Sequence, residues 1–571
     1  MIRSTRSSII LCSVAALVAG VGCTDPDREQ ADTNEGAAPK AWFSDATAAS
    51  GIDFRHDSGA RGRHRLPESL GSGCALFDAD GDGDLDAYLV SARDLDGGDE
   101  IIGDGNRFFR NRGDGTFVDD TDASGLADDG FGCGVATGDV DGDGDLDVYL
   151  ANLGPDRLFI NDGLGRFELA DDDRFANDAG FSVAPCFLDY DRDGDLDLFV
   201  SRYMDWSLEN EVDCTNLQGD PDYCNPDMYG RAIPDRLLRN DGTGRFEDVT
   251  ESAGLGDAAG MGLAAAAADL DGDGLLDLYV ANDKSQNRLW LNRGDGTFAE
   301  AAGLRGCATG LDGSPRASMS VSFADLDRDG DFEIHVSNIQ GEADGLFENR
   351  DGHFLDRAPG WGIAAASRAR TRWNGRFLDL DVDGDLDLVV GCGRVLRGVE
   401  DHRADRPYAE PDLIFERTSP TRFTSTDAHW PAGLLVEATH GMAWGDLDGD
   451  GRDDVLTLSR DGDARVFLRT VPDGTPRPVR IDVRDEQDAP AIGTRLVVTR
   501  GDDVQHFQVD TAGGYASAGS HVHALAGPID SIELRWPDGT TSTWDGPFEP
   551  GARVNASPRA IIVIGPDDDP A

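Results

Sequence analysis

The sequence predicts an all-β protein: a seven-bladed β-propeller with an acidic loop in each blade, followed by a small C-terminal β domain. Three observations carry this. The pattern D-x-D-x-D-G-x-x-D occurs seven times in the 571 residues, once with Glu for the last Asp. Each copy runs straight into a short β-prone stretch. Glycine-rich turns such as "RLFINDGLGRF" then separate further apolar stretches at hairpin spacing.

The seven copies begin at Asp78, Asp139, Asp189, Asp269, Asp325, Asp379 and Asp446, at intervals of 61, 50, 80, 56, 54 and 67 residues. Each continues as a strand, from "LDAYLVS" in the first to "DDVLTLS" in the seventh. Ahead of each acidic turn lies another apolar or small-residue stretch, such as "GFGCGVATG" or "MGLAAAAA". One unit therefore reads strand, acidic loop, strand, hairpin, strand, which is a propeller blade at a period of roughly 50–60 residues. The element "FSDATAASGI" at 43–52 matches the ends of later units, as in "FVDDTDASGL", yet precedes the first loop. It is expected to supply the outer strand of the last blade and close the ring, which removes open sheet edges.

Carboxylates crowded into one turn repel unless a cation sits between them. Ca²⁺ suits the pattern, since it takes six to eight oxygens at about 2.3–2.6 Å. The expected ligands in the first loop are Asp78, Asp80, Asp82 and Asp86 with the carbonyl of Asp84. In the second they are Asp139, Asp141, Asp143 and Asp147 with the carbonyl of Asp145, and in the third Asp189, Asp191, Asp193 and Asp197 with that of Asp195. The fourth offers Asp269, Asp271, Asp273 and Asp277 with the carbonyl of Leu275; the fifth Asp325, Asp327, Asp329 and Glu333 with that of Asp331. The sixth offers Asp379, Asp381, Asp383 and Asp387 with the carbonyl of Asp385, and the seventh Asp446, Asp448, Asp450 and Asp454 with that of Arg452. Up to seven structural Ca²⁺ are expected; Mg²⁺ demands a stricter octahedron. An EF-hand is excluded, because its chelating Glu at position 12 is replaced by residues such as Leu89, Leu150 and Thr457.

The N-terminus reads as a targeting segment. Arg3 and Arg6 precede an apolar run from Ile9 to Val21, and Gly22 stands before Cys23. This resembles the lipobox of bacterial lipoproteins, which implies lipidation of Cys23, although Gly20 stands where a leucine is usual. Ordinary secretion or a retained anchor are the alternatives. Residues 1–22 are assigned to this signal, 23–41 to a flexible tether, 42–473 to the propeller, 474–555 to the C-terminal domain and 556–571 to a tail. In an oxidising compartment Cys214 and Cys224, in "DCTNLQGDPDYCNP", are expected to form a local disulfide. Cys133 and Cys186 sit in apolar segments and read as small buried hydrophobes. A net charge of −58 argues against nucleic acid as a partner.

The acidic loops with their strand context resemble the FG-GAP/VCBS repeats of integrin α-subunit propellers over roughly residues 42–473. That family implies calcium on one face of the ring. "APAIGTRLVVTRGDDVQHFQVDTAGGYASAGS" with "IDSIELRWPDG" resembles the ASPIC/UnbV domain of cartilage acidic protein-like chains. The matching pieces are Ala491-Ile492-Gly493, Gly513-Gly514-Tyr515 and Arg535 to Gly539; a usual Gly-Leu-Gly element is replaced by "HALAGPID". The combination implies extracellular calcium binding and an adhesion or scaffold role.

No HExxH, GxSxG or P-loop is present, so no catalytic residue is assigned and the chain is not read as an enzyme. His521 and His523 read as surface residues. "SRARTRWNGRFLDLD" carries Arg368, Arg370, Arg372 and Arg376, read as an anion spot in the channel or as partners of nearby Asp. Arg202 and Asn282, on the face away from the acidic loops, complete the ligand-binding candidates with Arg372 and Arg376. The insertion from Arg202 to Ile233 should overhang that face. The expected function is an exported calcium-binding module for adhesion, ligand binding or scaffolding at the cell envelope, held to the membrane by its lipid alone. It acts as a monomer on a protein or glycan at the cell surface. The rivals are an enzyme using the channel or upper face on a saccharide, and an acidic surface adapted to brine.

Overall fold

The computed structural model describes residues 41–565 apart from 96–104, 171–174, 176–179, 398–405, 427, 432, 435 and 473. The signal segment, Cys23, the tether up to residue 40 and the last six residues lie outside the described residues.

The chain forms an all-β propeller. Blade 1 consists of Cys74–Phe77, Asp86–Leu89, Arg107–Asn111 and Phe117–Asp119 in antiparallel order. Five further four-stranded sheets repeat this, with innermost strands Phe131–Gly138, Ser182–Leu188, Gly262–Ala268, Ser318–Ala324 and Arg372–Leu378. Blade 7 takes Thr439–Gly445, Asp454–Ser459 and Arg465–Arg469 from the C-terminal end of the ring and Phe43–Asp45 from its start. Phe43 pairs with Arg469 and Asp45 with Phe467, so the N-terminal element closes the ring as its sequence suggests. Each innermost strand packs on the next, and Cys74–Phe77 lies between Phe131–Gly138 and Thr439–Gly445.

Strand residues of both parities are buried because each blade is covered on both faces by its neighbours. Val148 and Leu150 of blade 2 pack with Phe77 and Phe108 of blade 1; Tyr149 and Ala151 face Phe187 and Leu198 of blade 3. Polar clips link the blades as well. The third strand of blade 2 ends at Asn161, whose Nδ2 donates to the Leu146 carbonyl (3.1 Å) and, across the interface, to Ala79 O (2.8 Å). Asn111, Asn240, Asn292 and Asn349 repeat this in blades 1, 3, 4 and 5. In blade 6 Arg417 takes the place of the Asn and donates to Leu326 O.

The C-terminal domain is built from two four-stranded sheets. One joins Val479–Val483 to His523–Leu525, Arg553–Ala556 and Ile561–Ile564; the other joins Arg495–Arg500 to Asp503–Gln508, Ile529–Arg535 and Thr541–Phe548. The expected tail therefore begins too early. The β-branched run Ile561–Ile564 pairs with Arg553–Ala556 and finishes a sheet. The domain shares one apolar core with blades 5 and 6, in which Ile481 and Leu496 lie with Leu326, Phe377 and Leu388.

One excursion of this domain enters the ring. Ala518 pairs in parallel with Ala75 of blade 1, and the segment around it runs down the channel. Tyr515 is fully buried, its ring 5.0 Å from Trp373 and its hydroxyl donating to Leu70 O at 3.0 Å. Val135 N donates to Ala516 O and Asn374 Nδ2 to Tyr515 O. The glycines of this motif and of the channel wall serve close approach: a Cβ on Gly73 would lie 1.6 Å from Ala516 O, and one on Gly514 2.1 Å from Asn374 Oδ1. The other channel mouth is covered by the insertion of blade 3. Its Tyr203, Met204, Trp206 and Tyr229 join Phe131, Phe181, Met261 and Trp373, residues within one position of the starts of innermost strands. Cys214 and Cys224 are disulfide-bonded there, with Cα atoms 5.3 Å apart. Cys133 and Cys186 are free and buried, as their apolar segments suggest.

Candidate metal centres on one face of the ring

Each acidic loop joins the first two strands of a blade, so all seven lie on one face. The bend depends on backbone conformation at two positions. The sixth residue is glycine throughout, with φ between +85° and +98° from Gly83 to Gly451. The fourth is also left-handed, but there Arg192, Arg328 and Val382 stand at φ of 62°, 64° and 60°. A β-branched residue in that region is strained, by about 1–3 kcal/mol.

The loop positions divide their work. In loop 2 the first Asp, Asp139, accepts the N–H groups of Gly142 (2.8 Å) and Gly144 (2.9 Å), which shapes the turn. The fifth, Asp143, accepts Asp145 N (3.1 Å) and is exposed. The ninth, Asp147, is fully buried and bridges Val140 N (2.9 Å) to Asn161 N (2.8 Å). The same double acceptance recurs at Asp86, Asp197, Asp277, Asp387 and Asp454, and at Glu333 through its longer side chain.

Asp141, the third residue, holds one carboxylate oxygen buried and without a hydrogen-bond partner. Asp80, Asp271, Asp327 and Asp381 do the same at the equivalent position of four other loops. Burying carboxylate oxygen unpaired is costly, and the neighbouring loop side chains are themselves carboxylates, with a guanidinium beside Asp80 and Asp271 among the five. Donor atoms of Asp139, Asp141 and Asp147 lie within 4.8 Å of one another, as do those of Asp325, Asp327 and Glu333, and of three-residue sets in loops 1, 3 and 4. That spread matches oxygens around one cation with ligand distances near 2.4 Å. These clusters fit a metal ion, and the third-position oxygen is the feature that asks for one. Burial pushes the ninth-position carboxyls up, to about 8 at Asp147, Asp197 and Asp277 and about 9 at Glu333. A bound cation would oppose that by favouring the charged form.

The C-terminal domain sits on this same face. Arg480 pairs with Asp446 of loop 7, and Arg495 lies 3.7 Å from Asp269 of loop 4. His506 N donates to Asp325 (3.1 Å), and Ala526 N to Asp379 (3.3 Å). A cleft of about 370 Å³ opens between this domain and loops 2 and 3, lined by Asp139, Asp189, Arg192, Asp485, Trp536 and Pro537 among others.

The expected ligand-binding residues end up elsewhere. Arg372 and Asp344 are fully buried against each other, with Nε 2.8 Å from Oδ1. Burial alone would raise the Asp344 carboxyl, but Arg372 and His335 more than offset it and hold it below its usual range. Arg376 pairs with Asp510 of the C-terminal domain (3.0 Å) and lies over Trp444 at 4.4 Å. Asn282 is also fully buried: its N–H is held by Asn287 Oδ1 (2.9 Å), an arrangement repeated where Asp156 holds Asn152 N and Asp344 holds Asn338 N. These are turn clips at the ends of second strands. Arg202, partly exposed, packs over Gly180, and its N–H is held by Asp235 (2.9 Å). Three of the four candidates are thus tied into the scaffold: Arg372 and Arg376 are partners of Asp residues, the other reading of that arginine cluster, and Asn282 is held by its own turn. His521 and His523 are corrected likewise: the first is buried and bonds Asp482 at 2.8 Å, and the second is half-buried, with desolvation pushing its pKa down to about 3. Arg372→Ala leaves the Asp344 carboxylate buried without its guanidinium, with only Asn338 N and His335 beside it, so a loss of about 3–5 kcal/mol is expected in denaturant unfolding; Arg202→Ala should stay within about 1 kcal/mol.

Comparison with known proteins agrees with this architecture. A family model for the FG-GAP-like repeat matches residues 78–150, 139–200, 216–280 and 269–336. A second, ASPIC and UnbV, matches residues 484–548. The chain carries FG-GAP repeats and an ASPIC/UnbV domain. Relatives include cartilage acidic protein 1 of Mus musculus, 28% identical over 336 residues, covering 56% of this chain and 48% of that protein. Cartilage acidic protein 1 of Homo sapiens is 29% identical over 333 residues, covering 54% and 47%. The match thus spans about half the length of these relatives. Similar solved structures include YCF48 bound to D1 peptide (9% identity, TM-score 0.39, 76% of this chain and 97% of that one). Another is a Bacillus licheniformis rhamnogalacturonan lyase (13%, TM-score 0.39, 75% and 76%). Likeness at that level bears on no ligand or activity. Among the described residues no helix is long and apolar enough to cross a membrane.

The loops were legible in sequence; the FG-GAP ring's contacts with the ASPIC/UnbV domain were not. Gly513-Gly514-Tyr515 stood out as a family motif without a role, and its place in the channel gives it one. The arginines at 480 and 495 carried no signal beyond their rarity in so acidic a chain.

Proposed function

We propose that this protein is an exported, calcium-stabilised binding module of the cell envelope, anchored through Cys23 and acting as a monomer on a protein or glycan at the cell surface. The observation that carries the calcium reading is the buried, unpartnered third-position oxygen of Asp80, Asp141, Asp271, Asp327 and Asp381 amid converging carboxylates. Calcium accepts such irregular all-oxygen shells, where Mg²⁺ would need a tighter octahedron and more of its own water. Its role would be structural: Asp78, Asp139 and their counterparts hold the turn, and the ninth carboxylate ties the ion to the third strand. Support for a binder over an enzyme comes from the channel, which Tyr515 fills, leaving the rim and the cleft beside loops 2 and 3 as accessible surfaces.

The test has two stages. Metal analysis of the purified chain should return calcium, with up to seven ions per chain. Arrays of envelope proteins and glycans are then probed with the metal-loaded and metal-free forms. Retention that needs calcium supports the reading, and a chain that binds no calcium sinks it.

A further inference from the structure

We propose that the seven loops form two classes of calcium site, set by this chain's own arginines, two of which belong to the C-terminal domain. The proposal rests on the calcium reading above. Ligand carboxylates in loops 1, 4 and 7 already have guanidinium partners. Arg110 pairs with Asp80 and lies 3.9 Å from Asp86. Arg305 lies 3.3 Å from Asp271, and Arg495 3.7 Å from Asp269. Arg480 pairs with Asp446, and Arg452 reaches Asp450 at 2.9 Å. Among the described residues no Arg or Lys makes an ion pair with the first, third, fifth or ninth carboxylate of loops 2, 3, 5 or 6. Guanidinium groups around loops 5 and 6 pair with other atoms: Arg328 with Asp385 (2.7 Å) and Asp503 (2.6 Å), and Arg417 with Asp385 (4.0 Å), which lie outside those four positions.

A guanidinium at 3–4 Å has two effects on a cation entering the same cluster. It withdraws lone pairs from coordination, and it repels the incoming charge in a partly buried setting where screening is weak. It also lowers the need for a cation, because the carboxylates of that loop are already partly neutralised. Loops 2, 3, 5 and 6 have no such ion pair on those carboxylates and depend on the ion more. Loops 4 and 7 differ from loop 1 in the origin of their arginines. Arg495 begins a strand of the C-terminal domain, and Arg480 lies in the first strand of that domain. Calcium affinity at those two loops is therefore coupled to how the domain sits, and by reciprocity calcium there loosens the domain's grip.

The test is a calcium titration of the full chain in competition with a chromophoric chelator. Two phases are expected, four tight sites and three weaker by on the order of ten-fold or more, the change about 1.4 kcal/mol would produce. The double variant Arg480→Gln/Arg495→Gln should tighten two of the weak sites without bringing them fully into the tight phase, because Arg305 and Arg452 remain beside Asp271 and Asp450. Independently, Asp141→Asn should remove one tight site and Asp271→Asn one weak site. Seven indistinguishable sites, or Asp141→Asn and Asp271→Asn drawing from the same phase, would overturn the proposal while leaving the calcium reading intact. A chain that binds no calcium would overturn both. If the arginine variants fail to fold, the two Asp→Asn variants still decide.

Discussion

Stripping calcium from the purified chain should lower its melting temperature by at least about 15 °C, and by more at pH 8 than at pH 5.5. Each site saturated a hundred-fold above its Kd contributes about 2.7 kcal/mol, and several such sites sit in one cooperative ring. The pH dependence follows from the buried ninth-position carboxyls, which burial pushes to about 8 in Asp147, Asp197 and Asp277 and to about 9 in Glu333. In the metal-free fold these groups hold protons that the unfolded chain, with ordinary values near 4, has already released. A raised folded-state pKa means stability present below the unfolded value and lost as pH rises toward 8. The metal-free chain should therefore weaken between pH 5 and 8. The loaded chain should not, because the ion replaces those protons. Calorimetric scans of metal-free and reloaded protein at both pH values would check this. Equal losses at the two pH values would show that the carboxylates are not what the metal relieves.

How far this could be read from the sequence follows from the range of the interactions. The acidic loop is a local object: nine residues, a glycine that must take positive φ, and an apolar strand behind it, so spacing alone located all seven. Ring closure by Phe43–Asp45 was also accessible, since a repeat unit cut in two leaves an orphan fragment at each end. What sequence could not give were contacts between distant parts. Nothing near Arg372 announces Asp344 as its partner, and nothing in "TRLVVTR" announces that Arg495 meets Asp269. Of the two readings of Arg372 and Arg376, ion pairing with Asp is the one the fold realises, with partners distant in sequence. An Arg in a channel strand can be read either as an anion spot or as an Asp partner until the residues packed against it are known. Val382 is a smaller case: the pattern leaves the fourth loop position open, yet the backbone there is left-handed, at φ 60°.

The filled channel leads to the second large effect. Tyr515→Ala should cost about 3–5 kcal/mol, the range for losing a buried aromatic ring. The ring packs against Trp373 and lies in one cluster with Met204, Phe181 and Leu70, so its removal leaves a void where several blades meet the insertion. Tyr515→Phe should cost no more than about 1 kcal/mol, because the Leu70 carbonyl that accepts the hydroxyl at 3.0 Å also contacts His440 Nδ1 at 2.5 Å. Gly73→Val attacks the same seat from the wall, where even a Cβ would meet Ala516 O at 1.6 Å. It should displace the excursion around Ala518 and expose the 510–520 segment to protease while the acidic loops still bind metal. Urea unfolding of the Tyr515 pair and limited proteolysis of Gly73→Val would separate the two possibilities. If Tyr515→Ala were as stable as the parent chain, the excursion would be a passenger in the channel. If it is destabilised as expected, the ASPIC/UnbV domain is the axle on which the FG-GAP ring is built, and the ring cannot be understood as a unit without it.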